Sequence, residues 1–279
     1  MIDFILDSMN SHEAAREIQK IQTAYRLKLI ELWDVPVGAS VLEIGCGQGD
    51  MTAALAYSVG GRGFVHGVDI AKGTYGSPNT LEQARANLLN STLGSRIQID
   101  FETDILSGSF TPLMEYDYVV LAHCAWYFRS HEQLERTLEK ASQYAKKLCF
   151  VEWDSRAQSA EQLPHWSAVM IQALCSSFGI NPTMNIQTLF TPTDISELVQ
   201  KANWICETKQ SIADTVHLQD GKWEVSATIT QYPLLIEKAQ NIPLTLKHML
   251  LSQIKELGNV EKNSIMPLNA FVLSADRQK

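Results

Sequence analysis

The 279 residues predict an α/β protein: a doubly wound, mostly parallel sheet with helical insertions in its second half. Three observations carry that expectation. Strand-like and helix-like segments alternate through the first 155 residues. Val41-Leu42-Glu43-Ile44, a short buried strand, runs into a loop with glycine at 45, 47 and 49 and then into a helix. Tyr118-Val119-Val120-Leu121-Ala122 is apolar throughout, as a central strand covered on both faces must be.

The elements follow in order. Residues 11–33 read as an amphipathic helix with Ser11 as its cap, ended by the turn Asp34-Val35-Pro36-Val37-Gly38. The helix after Gly49 runs to Gly60-Gly61, and 63–69 is the second strand. Asn79 with Glu82 three residues on is a capping-box pattern. The helix it opens places Leu81, Ala84, Leu88 and Leu89 on one face. Ile97, Ile99 and Phe101 alternate with polar residues, so 96–103 is the third strand. Residues 118–122 form the fourth strand. Ser130 and Gln133 cap a helix that reaches Tyr144, and 147–153 is the fifth strand. The second half is less regular. Helices are expected over 158–178, from Pro192 to near Ala202, over 222–239 and over 243–257, with strands at 204–208 and 269–273. There is no internal repeat and no low-complexity linker, so residues 1–279 read as a single domain.

Composition excludes several functions. With 23 basic against 31 acidic residues the formal charge is −8, and no face for a nucleic acid is expected. No apolar run approaches the roughly 18 residues of a membrane-spanning helix. Met1 to Asp7 is acidic where a signal peptide is basic. The five cysteines are scattered and include no CxxC pair, which argues against a disulfide scaffold or a zinc ribbon. A cytoplasmic protein with no membrane partner is the resulting expectation.

The glycine loop points to a ligand. Glycine is needed where backbone turns tightly and a ligand lies against it with no Cβ between. Asp69 ends the next strand, 20 residues beyond Gly49, where a carboxylate accepts hydrogen bonds from a ribose diol. Either feature alone fits a purely structural turn; in this order they indicate an adenosine-type ligand. A dinucleotide loop would carry its last glycine at position 50. Asp50 stands there instead and would repel a pyrophosphate at the helix N-terminus. Glu43 adds a second negative charge. S-adenosylmethionine has no phosphate and carries an ammonium and a sulfonium, so an acidic rim suits it.

Glu43-x-Gly45-x-Gly47-x-Gly49 and Asp69 resemble the first motif and the ribose-binding acid of the class I (Rossmann-like) S-adenosylmethionine-dependent methyltransferases, small-molecule type. Thr103-Asp104-Ile105 is similar to their adenine-edge motif, and Tyr116-Asp117-Tyr118-Val119-Val120-Leu121 to the strand leading to the methyl-transfer site. The resemblance covers about residues 35–155. It implies a seven-stranded sheet with the last strand antiparallel and S-adenosylmethionine as cofactor. It further implies that Gly45, Cys46 and Gly47 line the methionine part, that Asp69 holds the ribose, and that Asp104 accepts from the adenine between Ile70 and Ile105. On this reading 1–34 is an N-terminal helical region and 35–155 a cofactor-binding core. Residues 155–265 are a helical cap with the sixth strand, and 266–279 carry the last strand. Residues 71–78 intervene before the next helix, where the family has a closer connection, and would cover the adenine or ribose.

Methyl transfer is an in-line displacement that needs a nucleophile held about 3 Å from a sulfonium methyl in a dry site. His123 follows the fourth strand at the ligand-facing edge of the sheet. It stands either as the catalytic base or as a cofactor contact packed on the methionine moiety. Trp126 and Tyr127, and Trp153 and Asp154 at the end of the fifth strand, are candidates for the substrate pocket, each with core packing or capping as the alternative. Glu152 is expected on the opposite side from Trp153. Arg26 either reaches the cofactor carboxylate or is solvated, and His165 and Trp166 either close over substrate or pack a helix face. Cys46 and Cys124 have no basic neighbour and read as small fillers. No metal is expected. The function expected is S-adenosylmethionine-dependent methylation of a small molecule. The alternatives are a non-catalytic binding module for the same cofactor and, less favoured because of Asp50, an NAD(P)-dependent oxidoreductase. Oligomeric state is not legible.

Overall fold

The computed structural model describes residues 1–10, 15–77, 79–180, 186–212 and 214–278. Seven strands form one sheet: β1 (Ser40–Ile44), β2 (Phe64–Val68), β3 (Ile97–Asp100), β4 (Tyr116–Ala122), β5 (Ala145–Trp153), β6 (Trp204–Ile212) and β7 (Ala270–Arg277). Their order is β3-β2-β1-β4-β5-β7-β6. β1 to β5 are parallel, and β7 runs antiparallel to both β5 and β6. The fold class and the antiparallel last strand are as expected. The order reverses direction between β1 and β4, so the connections leaving their C-terminal ends diverge and open a crevice there.

The central strands are what their composition demands. Val119, Val120 and Leu121 of β4 and Leu148, Phe150 and Val151 of β5 are wholly buried, covered on both faces by helices. Those helices are α1 (Ile2–Ser8), α2 (Arg16–Leu32), α3 (Asp50–Val59), α4 (Leu81–Leu89), α5 (His131–Ser142), α6 (Leu163–Ser177), α7 (Pro192–Lys201), α8 (Asp220–Lys238) and α9 (Leu244–Gly258). α1 has no counterpart in the sequence reading; Arg16 ties it to α2 by bridging Asp3 at 3.2 Å and Asp7 at 2.8 Å. The expected Ser11 cap lies outside the described residues.

Helix starts show where local chemistry decided. Ser130 Oγ accepts from Gln133 N at 3.1 Å, as its spacing predicts. The box expected at Asn79 and Glu82 forms one residue later. Thr80 Oγ1 accepts from Gln83 N, and Gln83 Oε1 accepts from Thr80 N at 2.9 Å. Glu82 is drawn instead to Arg85, 2.7 Å away, and the Asn79 carbonyl accepts from Gln48 Nε2.

The described residues form two apolar cores. The larger one surrounds the sheet, and a second, with Ile171, Tyr232, Ile236 and Ile254 at its centre, is made by α6, α8 and α9. α6 is docked to the sheet by His165. Its ring is fully buried, Nδ1 accepts from Leu268 N at 2.9 Å, and its edge meets Trp153 at 5.3 Å between centroids. Burial pushes this imidazole down to about 3, so it is a neutral packing residue.

β6 is held to α5 by Trp204, which is buried and donates from Nε1 to the Leu138 carbonyl at 3.0 Å. Trp204→Ala is expected to cost about 3–5 kcal/mol in urea unfolding. A loss under about 1 kcal/mol would show that the edge strand is not anchored there.

Candidate functional site

Two cavities meet at the C-terminal edge of β1 and β4. The larger, about 670 Å³, is bordered by Gly45, Gly47, Asp69, Ile70, Asp104, Ile105 and Tyr127. The smaller, about 210 Å³, is bordered by Tyr25, Arg26, Asp50, His123, Trp153 and Asp220. They share Gly45, Gly47, Gln48 and Tyr127.

The shared wall is the glycine turn. Gly45 has φ +78°, and a Cβ there would lie 2.9 Å from Cys124 Cβ. Gly47 has φ +51° and nothing within 4 Å of where its Cβ would stand, so its bare backbone is what the cavities meet. The turn hangs from the end of β2. Gly45 N donates to the Val68 carbonyl at 2.8 Å, and Asp69 Oδ2 accepts from Gly47 N at 2.8 Å. Asp69 Oδ1 accepts from Ala71 N at 2.8 Å. Each carboxylate oxygen has a further lone pair for a ligand.

Around the larger cavity, Ile70 is 66% exposed at the mouth and Ile105 is buried in the wall. Asp104 lines it, with Oδ1 accepting from Leu106 N at 2.8 Å. Ala71, Tyr75, Gly76 and Ser77 of the intervening segment border this cavity as well. That segment is pinned to α4 by Leu81 N on the Tyr75 carbonyl and Glu82 N on the Gly73 carbonyl.

Glu43, expected as part of an acidic rim, borders the smaller cavity from beneath the turn. It is buried on β1, and burial pushes its carboxyl from an ordinary 4.5 up to about 8, against the hydrogen bond from Thr52 Oγ1. Asp50 supplies the acidity at the turn, with Arg26 Nη2 facing it at 3.9 Å. Among the described residues Arg26 Nη1 is buried without a hydrogen-bond partner, while the side chain as a whole is 21% exposed.

At the end of β4, His123 has φ +51°, a conformation few non-glycine residues adopt. Its Nε2 is 2.8 Å from the Tyr25 hydroxyl, its Nδ1 is 3.5 Å from Glu152 Oε1, and its ring lies 4.4 Å from that of Trp153. Glu152, expected to point away, is buried beside His123. Tyr127, 46% exposed, stands between the cavities.

The structure places two substrate-pocket candidates, Trp126 and Asp154, away from both cavities. Trp126 is buried in the core, donates from Nε1 to the Phe190 carbonyl at 3.3 Å, and lines neither cavity. Asp154 is buried and gripped by Arg156 at 2.8 and 2.7 Å, and it too lines neither cavity. Cys46 and Cys124 are buried, and burial pushes both thiols well up. Among the described residues no group of three or more His, Cys, Asp or Glu is placed to hold a metal ion.

Sequence reasoning missed Tyr25, Gln22 and Asp220. Gln22 and Tyr25 share with Arg26 one polar strip of α2, at i, i+3 and i+4, and that spacing was the available signal. Gln22 Nε2 donates to Asp220 Oδ2 at 2.9 Å, which joins α2 to the start of α8 beside the smaller cavity. Asp220 carried no signal of its own.

A family model described as "Methyltransferase domain" matches residues 41–147. The chain is similar along its length to a solved structure, a cyclopropane-fatty-acyl-phospholipid synthase-like protein from Lactobacillus casei. That likeness has 32% identity and a TM-score of 0.85, and it covers 99% of this chain and 98% of that one. Two curated relatives are a methyltransferase, phomM', from Diaporthe leptostromiformis, 34% identical over 110 residues, and aklanonic acid methyltransferase DauC from a Streptomyces species, 32% identical over 102 residues. Each match takes in 33% of this chain but only 28% and 44% of those proteins.

The buried Glu43 carboxyl makes stability depend on pH. Its folded value, about 8, lies above its unfolded 4.5, so the folded state holds the extra proton between them and loses stability as pH rises through that window. Glu43→Gln lacks this loss. Its unfolding free energy is expected to gain on the parent as pH rises from 5 to 8, by at most about 1.4 kcal/mol per pH unit. Parallel stability curves would mean that the buried group is ionised throughout.

Proposed function

The chain belongs to the class I S-adenosylmethionine-dependent methyltransferases, and from that footing we propose that it methylates a small acceptor held in the smaller cavity. The observation that carries the reading is the Gly47 turn, open on both cavities and tied to Asp69. The residues present fit the cofactor. The larger cavity suits the nucleoside, with the ribose on Asp69 and the adenine between Ile70 and Ile105 against Asp104. Gly45, Cys46 and Gly47 flank the methionine part, and Gly49 lets the turn enter α3. The unpaired Arg26 Nη1 is a donor in want of a carboxylate, and Asp50 beside it suits an ammonium. Bound there, S-adenosylmethionine supplies an electrophilic methyl on a sulfonium. The chain's own part is to hold an acceptor in a space walled by His123, Tyr127 and Trp153 and to shield it from water. A cavity of about 210 Å³, which the cofactor's amino-acid end shares, favours a small molecule over a polymer.

Residues 35–155 act in this reading as the cofactor-binding core, 155–265 as a cap that sets selectivity, and 1–34 as the N-terminal wall of the acceptor space. The −8 charge supports the absence of a nucleic-acid partner. Among the described residues no helix is long and apolar enough to cross a membrane. All five cysteines are free, four of them buried, which supports a cytoplasmic location. Neither a binding-only role nor dinucleotide oxidoreduction is favoured by any feature of the site.

S-adenosylhomocysteine at 100 times its dissociation constant is expected to stabilise the protein by about 2.7 kcal/mol, and NAD is not. Asp69→Ala should lose most of that gain, read as a thermal shift. An Asp69→Ala protein that gains as much as the parent would remove the ribose assignment.

A further inference from the structure

One ring nitrogen of His123 is hydrogen-bonded and the other is buried opposite a carboxylate. Nε2 meets the Tyr25 hydroxyl at 2.8 Å. Nδ1 is buried, makes no full hydrogen bond, and faces Glu152 Oε1 at 3.5 Å. The carboxylate cannot swing away. Its Oε2 accepts from Ala125 N at 2.8 Å and Trp126 N at 3.2 Å, and its Oε1 from Trp153 N at 2.9 Å. An ionised carboxylate only accepts, so the proton of a neutral imidazole belongs on Nδ1. Nε2 is then a bare lone pair, and the Tyr25 O–H donates to it. His123 therefore offers an acceptor neither nitrogen: Nε2 is taken by Tyr25, and Nδ1 is buried opposite Glu152. The Tyr25 oxygen does have free lone pairs, and Tyr25 borders the smaller cavity beside Trp153 and Tyr127.

Building on the methyl-transfer reading above, we propose that Tyr25, rather than His123, is the group that meets the acceptor. The acceptor's attacking atom arrives protonated (a hydroxyl, thiol or ammonium). It gives its proton to the Tyr25 oxygen as the Tyr25 proton passes to His123 Nε2. The new bond forms from the attacking atom to the methyl carbon as the carbon–sulfur bond breaks, and the sulfur keeps that electron pair. The charge lost from the sulfonium reappears on the imidazolium opposite Glu152, so the site's net charge is conserved. An acceptor attacking through a bare lone pair, such as a thioether, needs no such chain. Glu152 is a positioning residue: it touches neither partner and sets the direction of the relay.

The surroundings suit a relay rather than a phenolate. Burial pushes the Tyr25 hydroxyl well up, with Asp220 and Glu152 adding to it, so it stays protonated and passes protons on. The ionisable groups facing the Tyr25–His123 pair are Arg26 on α2, Glu152 on β5, His165 on α6, Asp220 at the start of α8, and Asp214 just before it. His165 is neutral, so it does not compete for the proton.

The test is ¹⁵N-histidine NMR on the full chain with S-adenosylhomocysteine bound, beside calorimetric titration of that compound. The parent is expected to hold His123 in the Nδ1–H tautomer. Tyr25→Phe should keep that tautomer, and Tyr25→Phe and Glu152→Gln should both bind the compound within about threefold of the parent. In Glu152→Gln the amide oxygen stays on the Ala125 and Trp126 N–H groups, which turns the NH2 toward Nδ1. The ring should then shift to Nε2–H. If Glu152→Gln does not fold, the parent and Tyr25→Phe spectra carry the test. A parent ring protonated on Nε2 overturns the relay, because Tyr25 could then only accept from it. Binding with the wrong tautomer sinks the relay alone, whereas a parent that does not bind S-adenosylhomocysteine sinks the functional reading on which it rests.

Discussion

The site depends on one carboxylate, Asp69, holding the backbone on either side of it. One oxygen takes the N–H of Gly47 and the other that of Ala71, each at 2.8 Å. The first bond fixes the turn after β1 to the end of β2. The second fixes the start of the segment that borders the larger cavity. Such a turn needs φ above zero at three positions, which only glycine provides without strain, and Gly45, Gly47 and Gly49 provide it. Because the acid is anchored by backbone, its remaining lone pairs point in a preset direction, and a ligand has no ordering of that side chain to offset.

The second half of the site comes from outside the sheet. α2 lays Gln22, Tyr25 and Arg26 along the smaller cavity, and Asp220 reaches it from the start of α8. α2 therefore completes a chamber whose floor is the end of β4 and β5. Charge is arranged with economy. Burial leaves Glu43 largely protonated near neutral pH, so Asp50 and Arg26 face each other as the local pair at the turn. That pair matches a zwitterionic amino-acid group better than it matches a pyrophosphate. α6, α8 and α9 share an apolar core of their own, and α6 is joined to the sheet's core through Val169 and the contact of His165 with Trp153.

Much of this was legible in residue order, and the failures have physical reasons. Strand alternation, the glycine turn, Asp69 and the Ser130 cap are local signals, and local geometry honours them. Sequence shows the charge of Glu43 but not the burial that raises its carboxyl. Trp126 and Asp154 lie next to true lining residues. Yet a short helical turn sends Trp126 inward, and Arg156 captures Asp154. The cap expected at Asn79 falls one residue later, on Thr80 with Gln83, while Glu82 pairs with Arg85. Tyr25 and Asp220 are far apart in the chain, and only the packing of α2 and α8 brings both to one chamber.

The most direct measurement is a crystal structure of the protein with S-adenosylhomocysteine. Both ribose hydroxyls are expected within hydrogen-bond distance of the Asp69 carboxylate, and the amino-acid carboxylate on Arg26 Nη1. A nucleoside lying elsewhere, with Asp69 touching only Gly47 and Ala71, would contradict this placement.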